Sequence, residues 1–173
     1  MRLAEKYRPR CLADVLGQRA TKVLQGFAAN PYSSCWMFYG PGGTGKSCTA
    51  LALAAELGAE EPFGLRVLGT ADLGIDQAKQ FIECLHRRPM TGRWNVVILE
   101  ELERLSPQCQ VYLKKELASE NLPSTAIVIA TSNELKLISM PLRQRFIMVE
   151  FPGGYDLAYA AEAKLRELWQ RET

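Results

Sequence analysis

Long apolar runs are missing from this 173-residue sequence. The longest, such as Ala126-Ile127-Val128-Ile129-Ala130, are a handful of residues, far short of the roughly 20 that a membrane-spanning helix needs. Met1-Arg2-Leu3-Ala4-Glu5-Lys6 carries no apolar signal region, so a cytoplasmic protein is expected, or a nuclear one in a eukaryote. An excess of either charge is missing too: 21 Lys+Arg against 19 Asp+Glu leave a formal net charge of +2. That is too little to argue for nucleic acid unless the charges are placed together. Repeats, charge blocks and low-complexity tracts are absent. With 47% apolar and 23% charged residues, the composition excludes a disordered or collagen-like chain. The five cysteines (Cys11, Cys35, Cys48, Cys84, Cys109) are odd in number and widely spaced. Neither a zinc knuckle nor a disulfide framework fits that pattern, and reduced, mostly buried thiols are expected.

What is present is an alternation of β-prone runs and helix-like stretches, which predicts an α/β fold with a parallel sheet covered by helices. Strands are expected at residues 35–39, 65–68, 94–99, 125–130 and 146–151. Helices are expected at 46–57, at 75–88, after the Ser106-Pro107 start signal, and at 157–170. In the last of these, Leu157, Ala161, Leu165, Leu168 and Trp169 form the apolar face. Pro152-Gly153-Gly154 reads as a linker.

The strongest local signal is Gly40-Pro41-Gly42-Gly43-Thr44-Gly45-Lys46-Ser47, a full match to the P-loop pattern between a strand and a helix. Glycines let successive backbone N–H groups curl around phosphates at a helix N-terminus. Lys46 supplies a charge for the β- and γ-phosphates, Ser47 a hydroxyl for Mg²⁺, and Cys48 continues the nucleotide-binding stretch. Such a loop needs carboxylates at the end of a neighbouring strand. Val96-Val97-Ile98-Leu99-Glu100-Glu101 provides them: Glu100 to support Mg²⁺ and Glu101 to polarise the attacking water. Asn133, just after a central strand, is suited to sense a γ-phosphate. Arg143 and Arg145, just before the last strand, are candidates for stabilising transition-state charge across a subunit interface.

Together these features resemble an AAA+ ATPase, and within that group the sliding-clamp loaders, namely replication factor C small subunits and their bacterial and phage relatives. Glu5-Lys6-Tyr7-Arg8-Pro9 and Asp14-Val15-Leu16-Gly17-Gln18 are similar to that group's N-terminal signature. The resemblance implies a P-loop three-layer sandwich with a five-stranded parallel sheet, and adenine held by Tyr7, Arg8, Pro9, Val15 and Leu16. It further implies ATP and Mg²⁺ as cofactors, Arg145 as the finger arginine with Arg143 as its neighbour, and assembly with copies of itself or related AAA+ subunits. Leu113-Lys114-Lys115 resembles the start of the group's DNA-facing helix, which implies phosphate contacts from Lys114 and Lys115 and a sliding clamp as a partner. Residues 1–151 are expected to form the ATPase core, and 152–173 a linker and a single helix standing where a lid would begin. The group's Asp-Glu-Ala-Asp run reads Glu100-Glu101-Leu102-Glu103 here, and its Ser-Arg-Cys motif reads Gln144-Arg145-Phe146. With the lid absent and Glu100 in place of Asp, weak hydrolysis in isolation is expected. The alternatives are another DNA-linked AAA+ remodeller (a helicase loader, or a transposition or recombination regulator) and a nucleotide-dependent assembly module with little catalysis.

Overall fold

Five β-prone runs assemble into one parallel sheet in the computed structural model, which describes residues 6–71, 73–89 and 92–172. The strands are β1 (Ser34–Tyr39), β2 (Leu65–Gly69), β3 (Asn95–Glu100), β4 (Ala126–Ser132) and β5 (Ile147–Glu150). Their spatial order is β2-β3-β4-β1-β5. The helices are α1 (Ala20–Ala29), α2 (Lys46–Glu56), α3 (Ile75–His86), α4 (Pro107–Glu116), α5 (Met140–Arg143) and α6 (Tyr155–Glu172). Single 3-10 turns cover Leu12–Asp14, Leu102–Arg104 and Leu135–Leu137. Glu5, the first residue of the expected N-terminal signature, lies outside the described residues.

Alternation along the strands builds three layers, because successive side chains point to opposite sheet faces. Trp36, Phe38, Val96, Ile98, Ile127 and Ile129 enter the core shared with α1 and α2. Cys35, Met37, Val97, Leu99, Val128 and Ala130 enter the core shared with α3 and α4. The central strands β3 and β4 are therefore apolar on both faces and almost fully buried. The edge strands β2 and β5 are shorter and partly exposed. Ser106 caps α4 by accepting the Cys109 N–H at 3.3 Å, with Pro107 at the first helical position. The five cysteines are all free thiols. Among the described residues no helix is long and apolar enough to cross a membrane.

One expectation needs correction. The apolar pattern of α6 is turned inward only in part: Leu157, Ala161 and Leu168 are half-buried, whereas Leu165 and Trp169 are 66% and 71% exposed. The helix leans on Gly17 through Leu157: a Cβ on Gly17 would meet Leu157 Cδ1 at 3.1 Å and Ala160 Cβ at 3.7 Å. With Leu157 and Ala160 against Gly17, Leu165 and Trp169 lie toward solvent.

Candidate functional site

The C-terminal ends of the strands gather the polar residues, as parallel α/β sheets dictate. Gly40 leaves β1 at a φ of 147°, and a Cβ there would stand 2.1 Å from the Phe151 carbonyl oxygen. Only glycine lets the loop start this close to the end of β5. Beyond it, Gly43 and Gly45 take φ values of 76° and 90°, in the left-handed region, and the space on their Cβ side is open. These two glycines form a concave backbone, a cradle that side chains would fill, directly before the first turn of α2. The open cradle and the helix N-terminus fit a phosphate chain.

Lys46 opens α2 and is almost buried, its Nζ donating to the Gly40 and Pro41 carbonyl oxygens at 2.8 and 2.7 Å. Burial pushes its pKa down from the ordinary value, and the nearby charge of Glu103 opposes that shift. Ser47 follows in the first helical turn, half-buried. The Thr44 hydroxyl donates to the Pro41 carbonyl oxygen at 2.9 Å. The Thr44 carbonyl in turn accepts the buried Gln18 amide at 2.9 Å, and the same amide donates to the Pro152 carbonyl oxygen at 3.4 Å. Gln18 thus ties the N-terminal segment, the loop and the lead into α6 at one point.

A cavity of about 520 Å³ opens beside the loop. Tyr7, Arg8, Pro9, Val15 and Leu16 line it from the N-terminal segment, and Gly43, Thr44, Gly45 and Cys48 from the loop and α2. Leu157, Lys164 and Leu168 of α6 close its far side, a contribution that the strand-and-loop signals in the sequence do not reveal. Asp14 is held by the Cys11 side chain and the Arg10 amide, which keep its carboxyl below the ordinary range. A separate hollow of about 580 Å³ between α3 and α4, lined by Lys79, Glu83, His86 and Tyr112, shares no residue with this cavity.

The acidic turn after β3 spreads its carboxylates apart. Glu100 ends the strand, half-buried. Glu101 has a φ of 57°, the only left-handed non-glycine backbone among the described residues. Its carboxylate pairs with Arg104 Nε at 3.0 Å. Leu102, fully buried, anchors the turn and sends Glu103 back toward the loop. Glu103 Oε1 accepts the Asn133 N–H at 3.0 Å, and Oε2 is buried with no hydrogen-bond partner among the described residues. Sequence reasoning noted Glu103 in its motif but gave it no role. The available signal was the spacing: two residues after Glu101, across a buried leucine, a carboxylate comes round to the other side of a tight turn.

Asn133 follows β4, whose Ser132 carbonyl accepts the Gly40 N–H at 3.2 Å, so it stands beside the start of the loop. The arginines lie elsewhere. Trp36 pairs with Ile147, which sets Arg145 level with the start of β1, about 20 Å from Gly40 by strand rise. There Arg145 borders a hollow with Ser34, Leu117 and Ile147. Arg143 ends α5, its Nε buried without a partner among the described residues. Lys114 and Lys115 occupy the last turn of α4, half-buried and exposed respectively, where positive charge also favours the helix dipole.

Serine hydroxyl and carboxylate oxygens, Ser47 and Glu100, are the donor types that suit Mg²⁺. Residues 36–152 match the family described as "ATPase family associated with various cellular activities (AAA)". The chain is 32% identical to the replication factor C small subunit of Picrophilus torridus, over 97% of this chain and 53% of that protein. It is 30% identical to replication factor C subunit 4 of Homo sapiens, over 82% of this chain and 42% of that one. The chain thus spans about half the length of the curated relatives it matches. Among solved structures, the RuvB Holliday junction branch migration motor of Thermotoga maritima superposes with a TM-score of 0.65 at 22% identity, covering 86% of this chain and 49% of that one. A DNA polymerase III gamma subunit-related protein of the same organism gives 0.67 at 14% identity, covering 87% and 51%. These two likenesses speak to the fold alone.

Proposed function

Because the chain belongs to the AAA family of ATPases, we propose that it is an ATP-binding and ATP-hydrolysing core of clamp-loader type, acting in DNA replication with its ATP sites at subunit junctions. The observation that carries the reading is the open cradle at Gly43 and Gly45, with Lys46 behind it and the N-terminal cavity beside it. The phosphates would meet the N–H groups of residues 42–47, and the base would enter the cavity between Val15, Leu16 and Tyr7. Lys46 would exchange its two carbonyl partners for phosphate oxygens. Ser47 and Glu100 would hold Mg²⁺, which when bound neutralises developing charge on the phosphates. Glu101 would orient the attacking water, and Asn133 would contact the γ-phosphate.

The 20 Å or so between Arg145 and its own loop supports a role in a neighbour's site rather than its own. Arg143 is the adjacent candidate. Residues 1–151 would then be the ATPase core, and 152–173 a linker and helix reporting on the cavity they close. The similarity to replication factor C small subunits supports partners of the same kind: further AAA+ subunits, DNA and a sliding clamp. Lys114 and Lys115 would touch DNA phosphates, a salt-dependent and sequence-blind contact. A cytoplasmic or nuclear site of action follows from that role.

Mass in solution tests the reading, measured with and without a non-hydrolysable ATP analogue and again with DNA. A nucleotide-driven rise in mass that Arg145→Ala abolishes is expected. A mass indifferent to nucleotide overturns the junction model.

A further inference from the structure

Resting on that reading, we propose that Glu103 is a positioning residue: its carboxylate holds the Asn133 backbone against the phosphate end of the cleft, so that discrimination between ATP and ADP depends on both residues. Asn133 is exposed at the end of β4. The Glu103 Oε1 contact at 3.0 Å fixes its amide from outside its own strand. Glu101 is unsuited to this task, since its carboxylate is paired with Arg104 at 3.0 Å on the other side of the turn. The buried Leu102 between the two glutamates keeps them on those separate sides. Glu103 is also electrically in touch with the loop, since its charge acts on Lys46. Its second oxygen is buried and unpartnered among the described residues. One carboxylate therefore bonds the proposed γ-phosphate contact at Asn133 and acts by its charge on the lysine that the phosphates would claim. An anion placed there opposes phosphate charge while it positions Asn133, and the two effects are separable by substitution.

The experiment measures affinities for ADP and for a non-hydrolysable ATP analogue by calorimetry, in Mg²⁺, for the wild type, Asn133→Ala, Glu103→Ala and the double variant. Glu103→Ala is expected to lower the ATP-over-ADP preference about fivefold, the net scale of one ordinary hydrogen bond, because the lost contact acts through the Asn133 backbone. The double variant is expected to be no worse than Asn133→Ala, because the two residues act as one unit. Glu103→Gln keeps an acceptor for the Asn133 N–H and removes the charge. It should preserve the preference while raising affinity for metal-free ADP about threefold or more, as expected for a like charge removed at partly screened distance. If Glu103→Ala does not fold, by its thermal transition, the Glu103→Gln arm decides alone. Loss of the preference in Glu103→Gln, or no gain for metal-free ADP, overturns the proposal. A preference that Asn133→Ala moves and Glu103→Ala does not also overturns it. A wild type that binds neither nucleotide, or a preference untouched by Asn133→Ala, instead overturns the underlying ATP-site reading and this inference with it.

Discussion

The Thr70 hydroxyl donates to the Glu101 carbonyl oxygen at 2.6 Å. From the other side of β3, the Thr131 hydroxyl accepts the Glu101 N–H at 3.2 Å. Glu101 is thus held at both ends of its peptide by residues from the neighbouring strand ends, in a backbone conformation that costs a non-glycine residue about 1–2 kcal/mol. Both threonines are almost fully buried, at 1% and 3% exposure. Either change, Thr70→Val or Thr131→Val, strands a backbone group of Glu101 and should cost about 1–3 kcal/mol of stability, read from the denaturant midpoint. Hydrolysis should fall more than nucleotide affinity if Glu101 orients the attacking water as proposed, because only that residue is released.

The loop glycines should separate folding from binding. Gly40→Ala drives a Cβ onto the Phe151 carbonyl oxygen, 2.1 Å away, and should destabilise by more than about 3 kcal/mol. Gly45→Ala meets no atom within 4 Å and should cost only the left-handed backbone penalty of about 1–2 kcal/mol. Its methyl group would occupy the cradle, so nucleotide affinity should collapse in a protein that still melts cooperatively.

Thiol chemistry distinguishes the cleft from the core. Cys48 lines the cavity beside the loop, so alkylation of Cys48 should be slowed by bound nucleotide. Cys35 is buried in β1, and burial pushes its thiol up to about 12 from an ordinary 9.0. It should stay unmodified in the folded protein at neutral pH. Its unfolded thiol ionises first, so stability should fall as pH rises from 9.0 to about 12. Cys35→Ala should flatten that slope, measured by denaturation across the window.

Arg145→Ala should leave ATP affinity of the separated chain unchanged, because that arginine stands far from its own loop. Mixing Arg145→Ala with Lys46→Ala chains should recover part of the assembly-dependent hydrolysis. Some junctions then pair an intact loop with an intact arginine. No recovery in the mixture would point to a role within one subunit.

Much of this architecture was legible in the amino-acid order. Short β-branched apolar runs such as Val96-Val97-Ile98-Leu99 read as strands buried on both faces, and the loop glycines declare a backbone that side chains would spoil. Local signals do not carry strand order: β1 lies between β4 and β5 through long-range register such as Trp36 with Ile129 and Ile147. Helix α1 was similarly quiet, with Gly26 interrupting the Ala20, Leu24 and Phe27 stripe that packs it. The apolar face of α6 was legible only in part: Leu157 packs on Gly17, far away in sequence, while Leu165 and Trp169 stay exposed. Glu103 and Gln18 stood in recognisable motifs, but what they hold was not legible. Their partners, Asn133, Thr44 and Pro152, come together only when the sheet closes.

Calorimetric titration of ATP with Mg²⁺ into the wild type and into Lys46→Ala tests the nucleotide site most directly. One ATP per chain is expected, with affinity falling at least about tenfold in Lys46→Ala, the loss of a charge-assisted contact to phosphate. A wild type that takes up no ATP, or a Lys46→Ala protein that binds it equally well, would contradict an ATP site at this loop.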